Sequence, residues 1–281
     1  MNSFIAIYNQ LGIACASDTD NTVFRLSKQE PVGVAVCPFS PIPWESYIIV
    51  YLRQGEPQHN KNLEEYARDF EAYLQQYPAD LEWNHLCEDM LSLNFLGFGS
   101  DDIYPSWSYA HVKVNEKTGK LEFGEIDNFK ISINNTSSFS WIGDFNCLDP
   151  ILHGSTEKVK SLAKTKLSEL FDTYKIRVIE NFAGTKYEAY VNECLQKNPN
   201  FSIVDDSVSE ATALAEEKLY DGIDTFSIEE MVTSSEKLVN ANVRLNHLKK
   251  GGKGLIGSTR EIAVLTRTEG FTWIKHSLFA I

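Results

Sequence analysis

The sequence predicts an α+β protein in which β-sheets lie between helical layers. Three observations predict it. Strand-like and helix-like patterns follow one another in blocks: strands, helices, strands, helices, strands. The strand-like runs near both ends are short and apolar throughout, as strands covered on both faces are. With 281 residues, 43% of them hydrophobic and 23% charged, the chain can bury a large core and is not globally disordered.

The elements follow in order. Phe4-Ile5-Ala6-Ile7-Tyr8 and Ile13-Ala14-Cys15-Ala16-Ser17 flank the turn Asn9–Gly12. Thr22–Ser27 and Val32–Cys37 flank a second turn at Lys28–Pro31. Pro43 leads into a helix from Trp44 to Leu52, where the missing N–H of proline costs little. Asn60 is a candidate cap for the next helix, whose apolar positions Leu63, Tyr66, Ala67, Phe70, Tyr73, Leu74 and Tyr77 keep helical spacing up to Pro78. The stretch Leu81–Phe95 fits a further helix or a loop-rich segment. Tyr109–Val114 and Leu121–Ile126 around Asn115–Lys120 form a hairpin, Phe129–Ile133 a further strand, and Asn134–Asp144 a polar, aromatic loop. Residues 155–222 read as helical, with a capping box at Ser207–Glu210. A second capping box, Ser227–Glu230, opens a long helix that ends before Gly251-Gly252. Ile262–Thr266 and Phe271–His276 form the closing hairpin around Arg267–Gly270. No repeat or low-complexity linker divides the sequence, so residues 1–281 are read as one domain with a helical elaboration at about 155–250.

Composition excludes some functions. The net charge of −13 argues against a general nucleic-acid or anionic-membrane binder, since phosphate contacts need clustered Lys and Arg. No apolar run reaches the length of a membrane-spanning helix, and the opening lacks the basic region of an export signal. The five cysteines (Cys15, Cys37, Cys87, Cys147, Cys194) are scattered singly, as reduced thiols of a cytoplasmic protein are.

Several chemical motifs fail on spacing. His85-Leu86-Cys87 and His111 lack metal-ligand spacing, and no metal or cofactor is expected. Asp101-Asp102 and Asp205-Asp206 read as turns or helix starts, because no calcium loop surrounds them. Gly251-Gly252-Lys253-Gly254 follows a helix instead of joining strand to helix, so it is a helix end and not a phosphate loop. Trp107, Trp141 and the 134–144 loop are read as core and ordered loop, with a recognition surface as the other reading.

The opening strand, turn and strand ending Ala16-Ser17-Asp18, together with Glu261–Leu265 and Glu269–Trp273, resembles proteasome-type N-terminal-nucleophile hydrolases. Pro31-Val32-Gly33-Val34, Pro43-Trp44-Glu45 and Leu63–Phe70 resemble more closely a divergent bacterial proteasome-like branch. The likeness spans both ends and much of residues 31–75. It implies a four-layer α/β/β/α sandwich with two stacked antiparallel sheets, and an oligomer of like or unlike subunits. The family's chemistry uses an N-terminal Thr or Ser hydroxyl, its own α-amine as base, a Lys that favours the ionised nucleophile, and an Asp that orients the Lys. Counted back from Asp18, the nucleophile's place falls at Asn2, which has no hydroxyl. The place of the Lys, before Val23-Phe24, holds Thr22. The stretch where the family has Asp and then Ser-Gly-Gly reads Lys253–Ser258. Of the catalytic set, Asp18 alone matches.

Three functional expectations follow. The first is a non-catalytic subunit acting in assembly or recognition, with a peptide or protein partner, no nucleic acid and no membrane. The second is an active N-terminal-nucleophile peptidase or amidase using Ser3 after removal of Met1 and Asn2. That shift of one residue turns the side chain to the other face of the strand. The third is an unrelated α+β binding module.

Overall fold

In the computed structural model, residues 3–37, 40–54, 61–86, 91–143, 222–249 and 258–276 are described, with scattered positions between 165 and 193. The chain divides into two compact units, residues 1–147 with 220–281, and residues 148–219. Everything below concerns the first unit.

That unit is the α+β sandwich expected, with two antiparallel five-stranded sheets. The first sheet contains β1 (Ser3–Asn9), β2 (Gly12–Ser17), β8 (Ser137–Gly143), β9 (Glu261–Thr266) and β10 (Gly270–Lys275), in the order β10-β9-β2-β1-β8. The second contains β3 (Val23–Arg25), β4 (Val32–Val36), β5 (Ser92–Gly97), β6 (Ser106–Asn115) and β7 (Lys120–Lys130), in sequence order. Helices α1 (Trp44–Gln54) and α2 (Leu63–Leu74) cover the second sheet, while α3 (Ile228–Lys249) lies on β1, β2 and β9 of the first.

The period of two sorts the side chains into layers. Phe4, Ala6 and Tyr8 of β1 and Ile13 and Cys15 of β2 enter the core between the sheets with Ala35, Leu96 and Trp107. Tyr8 stacks on Trp107 across that layer at 4.4 Å between ring centroids. The even residues of β4 and the odd residues Leu93 and Phe95 of β5 meet α1 and α2, where Tyr66, Phe70 and Leu74 are buried. Each such buried side chain contributes roughly 1.5–3 kcal/mol. Burial pushes the Cys15 thiol up to about 12, so this cysteine behaves as a small core residue and not as a nucleophile.

Both long helices begin as their sequences dictate. At α3, the Ser227 hydroxyl accepts from the Glu230 amide at 3.2 Å while the Glu230 carboxylate accepts from the Ser227 amide at 2.8 Å. At α2 the same box is closed by Asn62 and Glu65, at 2.9 and 2.8 Å, so Asn62 takes the place expected for Asn60.

Three expected elements differ. Within Leu81–Phe95 there is a 3-10 helix at Leu81–His85 and then a strand, β5, between β4 and β6. Phe129 and Lys130 continue β7 and do not start a strand of their own. The stretch expected as a loop at Asn134–Asp144 contains β8, paired along its length with β1. The capping box expected at Ser207–Glu210 and the Gly251–Lys253 tip lie outside the described residues.

Candidate functional site

Ser3 opens β1, a strand buried along its whole length. Phe4 pairs with Ser17, so Ser3 stands across from Asp18. The Ser3 amide donates to Asp18 Oδ1 at 2.7 Å, and the Asp18 amide donates to the Ser3 carbonyl at 3.1 Å. Because Phe4, Ala6 and Tyr8 point between the sheets, Ser3 points the other way, under α3. There Asn242 Nδ2 donates to Ser3 Oγ at 2.8 Å, and Asn246 Nδ2 donates to Asn242 Oδ1 at 3.3 Å. Ser3 is 2% exposed. A hydroxyl so placed meets a helix and not solvent.

Asp18 is buried. Burial raises its carboxyl above the ordinary range, and the hydrogen bond from the Ser3 amide opposes that shift. Thr22, 1% exposed, is held within its own loop. Its hydroxyl accepts from Ser17 Oγ at 2.9 Å, lies 2.9 Å from Thr19 Oγ1 and donates to the Thr19 carbonyl at 3.3 Å. The structure thus brings Ser3 and Asp18 into direct contact. Among the described residues, no hydrogen bond joins Thr22 to either, and no Lys or Arg side chain hydrogen-bonds any of the three. The nearby Arg260 guanidinium is engaged by Asp20 at 2.9 Å. Asn2 lies outside the described residues.

Two groups that the motif reading passed over organise this end of the sandwich. Asn242 has no local signal, since an Asn inside a helix usually faces water, and its partner is 239 residues away. Glu261 is the other. Its side chain is fully buried, and its carboxylate accepts from the amides of Asn21, Thr22 and Val23 at 2.8, 3.1 and 3.3 Å. His276 Nδ1 lies 3.2 Å from the same carboxylate. Asn21, in the left-handed region at φ 58°, aims its amide at Glu261. An acidic residue opening an otherwise apolar strand was the available sign.

Asn242→Ala should cost about 1–2 kcal/mol, because the Ser3 hydroxyl and the Asn246 amide lose a buried partner. Thermal denaturation of the variant beside wild type measures it.

Among the described residues, no group of three His, Cys, Asp or Glu side chains could hold a metal ion. None of the described helices is long and apolar enough to cross a membrane. His111 packs edge-on against Tyr109 at 5.0 Å, and Asp102 closes a turn by accepting from the Gly99 amide at 3.0 Å.

No known protein family's profile matches the chain, and no curated protein matches it. Among solved structures, a mutant form of Anbu from Hyphomicrobium sp. strain MC1 is similar at 10% identity, with a TM-score of 0.29. The match covers 81% of this chain and 100% of that one. So loose a likeness adds nothing to the fold derived above.

Proposed function

We propose that this chain is a non-catalytic protein on a proteasome-like sandwich, acting in assembly or recognition. The observation that carries the reading is the state of Ser3. Its hydroxyl is capped by Asn242 and its amide is held by Asp18. Catalysis by an N-terminal nucleophile needs an open hydroxyl and an unprotonated α-amine. If Ser3 became the first residue, the Asp18 carboxylate beside its nitrogen would favour the protonated ammonium, which is no base. Thr22 supplies no positive charge where the family resemblance puts a Lys. Residues of about 155–250 are read as an elaboration of the same domain, and subunits of the same or another kind as its partners.

The Ser3–Asp18 contact is also what the peptidase reading would use, so both readings meet at one test. Intact-mass measurement of the purified chain, before and after incubation with an inhibitor directed at N-terminal threonines, should find no adduct. Peptide substrates should not be turned over. An adduct on Ser3, in a chain that has lost Met1 and Asn2, would establish the peptidase instead.

A further inference from the structure

The end of the sandwich away from Ser3 carries a different surface. Strand directions place the 10–11 turn, the 98–105 loop, the 131–136 loop and the 267–269 turn together at that end. Hydrogen bonds tie them to one another. Gln10 Nε2 donates to the Ser132 carbonyl at 3.3 Å, the Ile131 amide to the Pro105 carbonyl at 3.0 Å, and Arg267 to the carbonyls of Ser100 and Asp102. Four large apolar side chains are exposed there: Leu11 at 57%, Ile103 at 72%, Phe129 at 47% and Ile133 at 76%. Elsewhere on the described residues of this unit only Leu245 and Ile274 are comparable. Single exposed apolar residues are ordinary, but four of them on cross-bonded loops and the adjoining end of β7 mark an interaction surface. Phe129 is also held rigid, stacked on Trp107 at 5.1 Å, which lowers the ordering cost of a contact.

Charge selects the partner. The neighbouring 26–31 turn and Lys61 share this end, and most of its cations are engaged: Lys130 by the Asp102 carboxylate, Lys61 by Asp69, and Arg25 and Arg267 by loop carbonyls, which leaves Lys28 exposed. Asp101, Asp127 and Glu269 are exposed and form no ion pair among the described residues. The chain as a whole carries −13, which disfavours a second copy of itself on an acidic rim. We propose that this end docks a basic, amphipathic segment of another protein, with apolar side chains over Leu11, Ile103, Phe129 and Ile133 and Lys or Arg against the acidic rim. The surface gives the non-catalytic reading a partner class, yet binding here and turnover at Ser3 fail separately.

A fluorescent, short amphipathic Leu/Lys peptide tests it by anisotropy against the full chain. It should bind at micromolar concentration, weaken with added salt, and lose at least tenfold in affinity to Ile103→Ser combined with Ile133→Ser. Both positions are exposed loop residues, so the fold is not at stake. Asp127→Lys with Glu269→Lys should weaken it as well, and Ile274→Ser should not. No binding, equal binding of a Leu/Glu counterpart, or an equal loss with Ile274→Ser would overturn the proposal. So would a dimer in sedimentation that the two Ile→Ser changes dissolve, because the occupant would then be a second copy.

Discussion

Glu261→Ala should destabilise the protein by about 3–5 kcal/mol, the largest loss expected from any single polar substitution at this end of the sandwich. Three backbone amides, at 21, 22 and 23, would lose the carboxylate that accepts from them; the bonds from Thr22 and Val23 are buried and that from Asn21 is part-buried. An unpaired buried donor costs its full desolvation, which exceeds the net worth of the bond it replaces. Urea denaturation followed by circular dichroism measures the loss. A loss under about 1 kcal/mol would mean that water reaches the amides and that the clamp is not closed. Acidity gives a second reading of the same group. Burial raises the Glu261 carboxyl above its ordinary 4.5, and the three amides and His276 pull against that shift. A carboxyl raised on folding contributes its stability in full below the unfolded value, and that contribution is lost as pH rises through the folded one. Glu261→Gln keeps the shape and removes the titration. The stability of wild type relative to this variant should therefore fall as pH rises from about 4.5, and a flat difference would show that the carboxyl is not raised.

Gly97→Ala is the second large effect. Gly97 ends β5 at φ 149°, in a region L-residues rarely adopt. An added Cβ would lie 2.2 Å from the Pro31 carbonyl oxygen and 2.8 Å from Val32 Cα. Both contacts are backbone, so no side chain can swing away. Relief requires β4 and β5 to part where Val32 pairs with Gly97 and where the Phe98 amide reaches the Pro31 carbonyl at 3.1 Å. The expected cost is about 3–5 kcal/mol, read as a lowered urea midpoint with the folded spectrum retained at low denaturant. Gly119→Ala is the control. It also has positive φ, at 61°, but nothing lies within 4 Å of its Cβ position, so strain alone acts there, at about 1 kcal/mol.

The layers of the fold were legible where one face of an element is uniformly apolar. β1, β2, β4 and β9 are such elements, and α3 adds the capping box read at Ser227–Glu230, whereas at α2 the helix was legible but its cap falls at Asn62 and not at the expected Asn60. β5 and β8 were hidden for opposite reasons. Ser92-Leu93-Asn94-Phe95-Leu96-Gly97 is a short mixed run, and periodicity cannot separate a strand buried on both faces from a helical turn. In β8 the serines are what reads as loop. Yet Ser140 Oγ is half-buried, 2.7 Å from the buried Tyr8 hydroxyl, and accepts from Asn94 Nδ2 at 2.7 Å. Partners on other strands make that hydroxyl acceptable there. The candidate site was legible by half. Asp18 and Ser3 are adjacent across a two-strand ladder, a relation the turn at Asn9–Gly12 already encodes. Asn242 and Glu261 act across more than two hundred residues, and no local pattern announces such a meeting.

The first sheet has a consequence for biosynthesis. β2 is paired on one side by β1, made moments earlier, and on the other by β9, so that Ile13 faces Leu265 and Ala16 faces Ile262. During translation the early hairpin must wait for residues 261–265 with one apolar strand lacking its neighbour. Contacts so distant along the chain form slowly, and a bare strand edge invites pairing with other nascent chains. Ribosome-bound intermediates that stop short of β9 should therefore be the species that chaperones hold and that aggregate when chaperones are scarce.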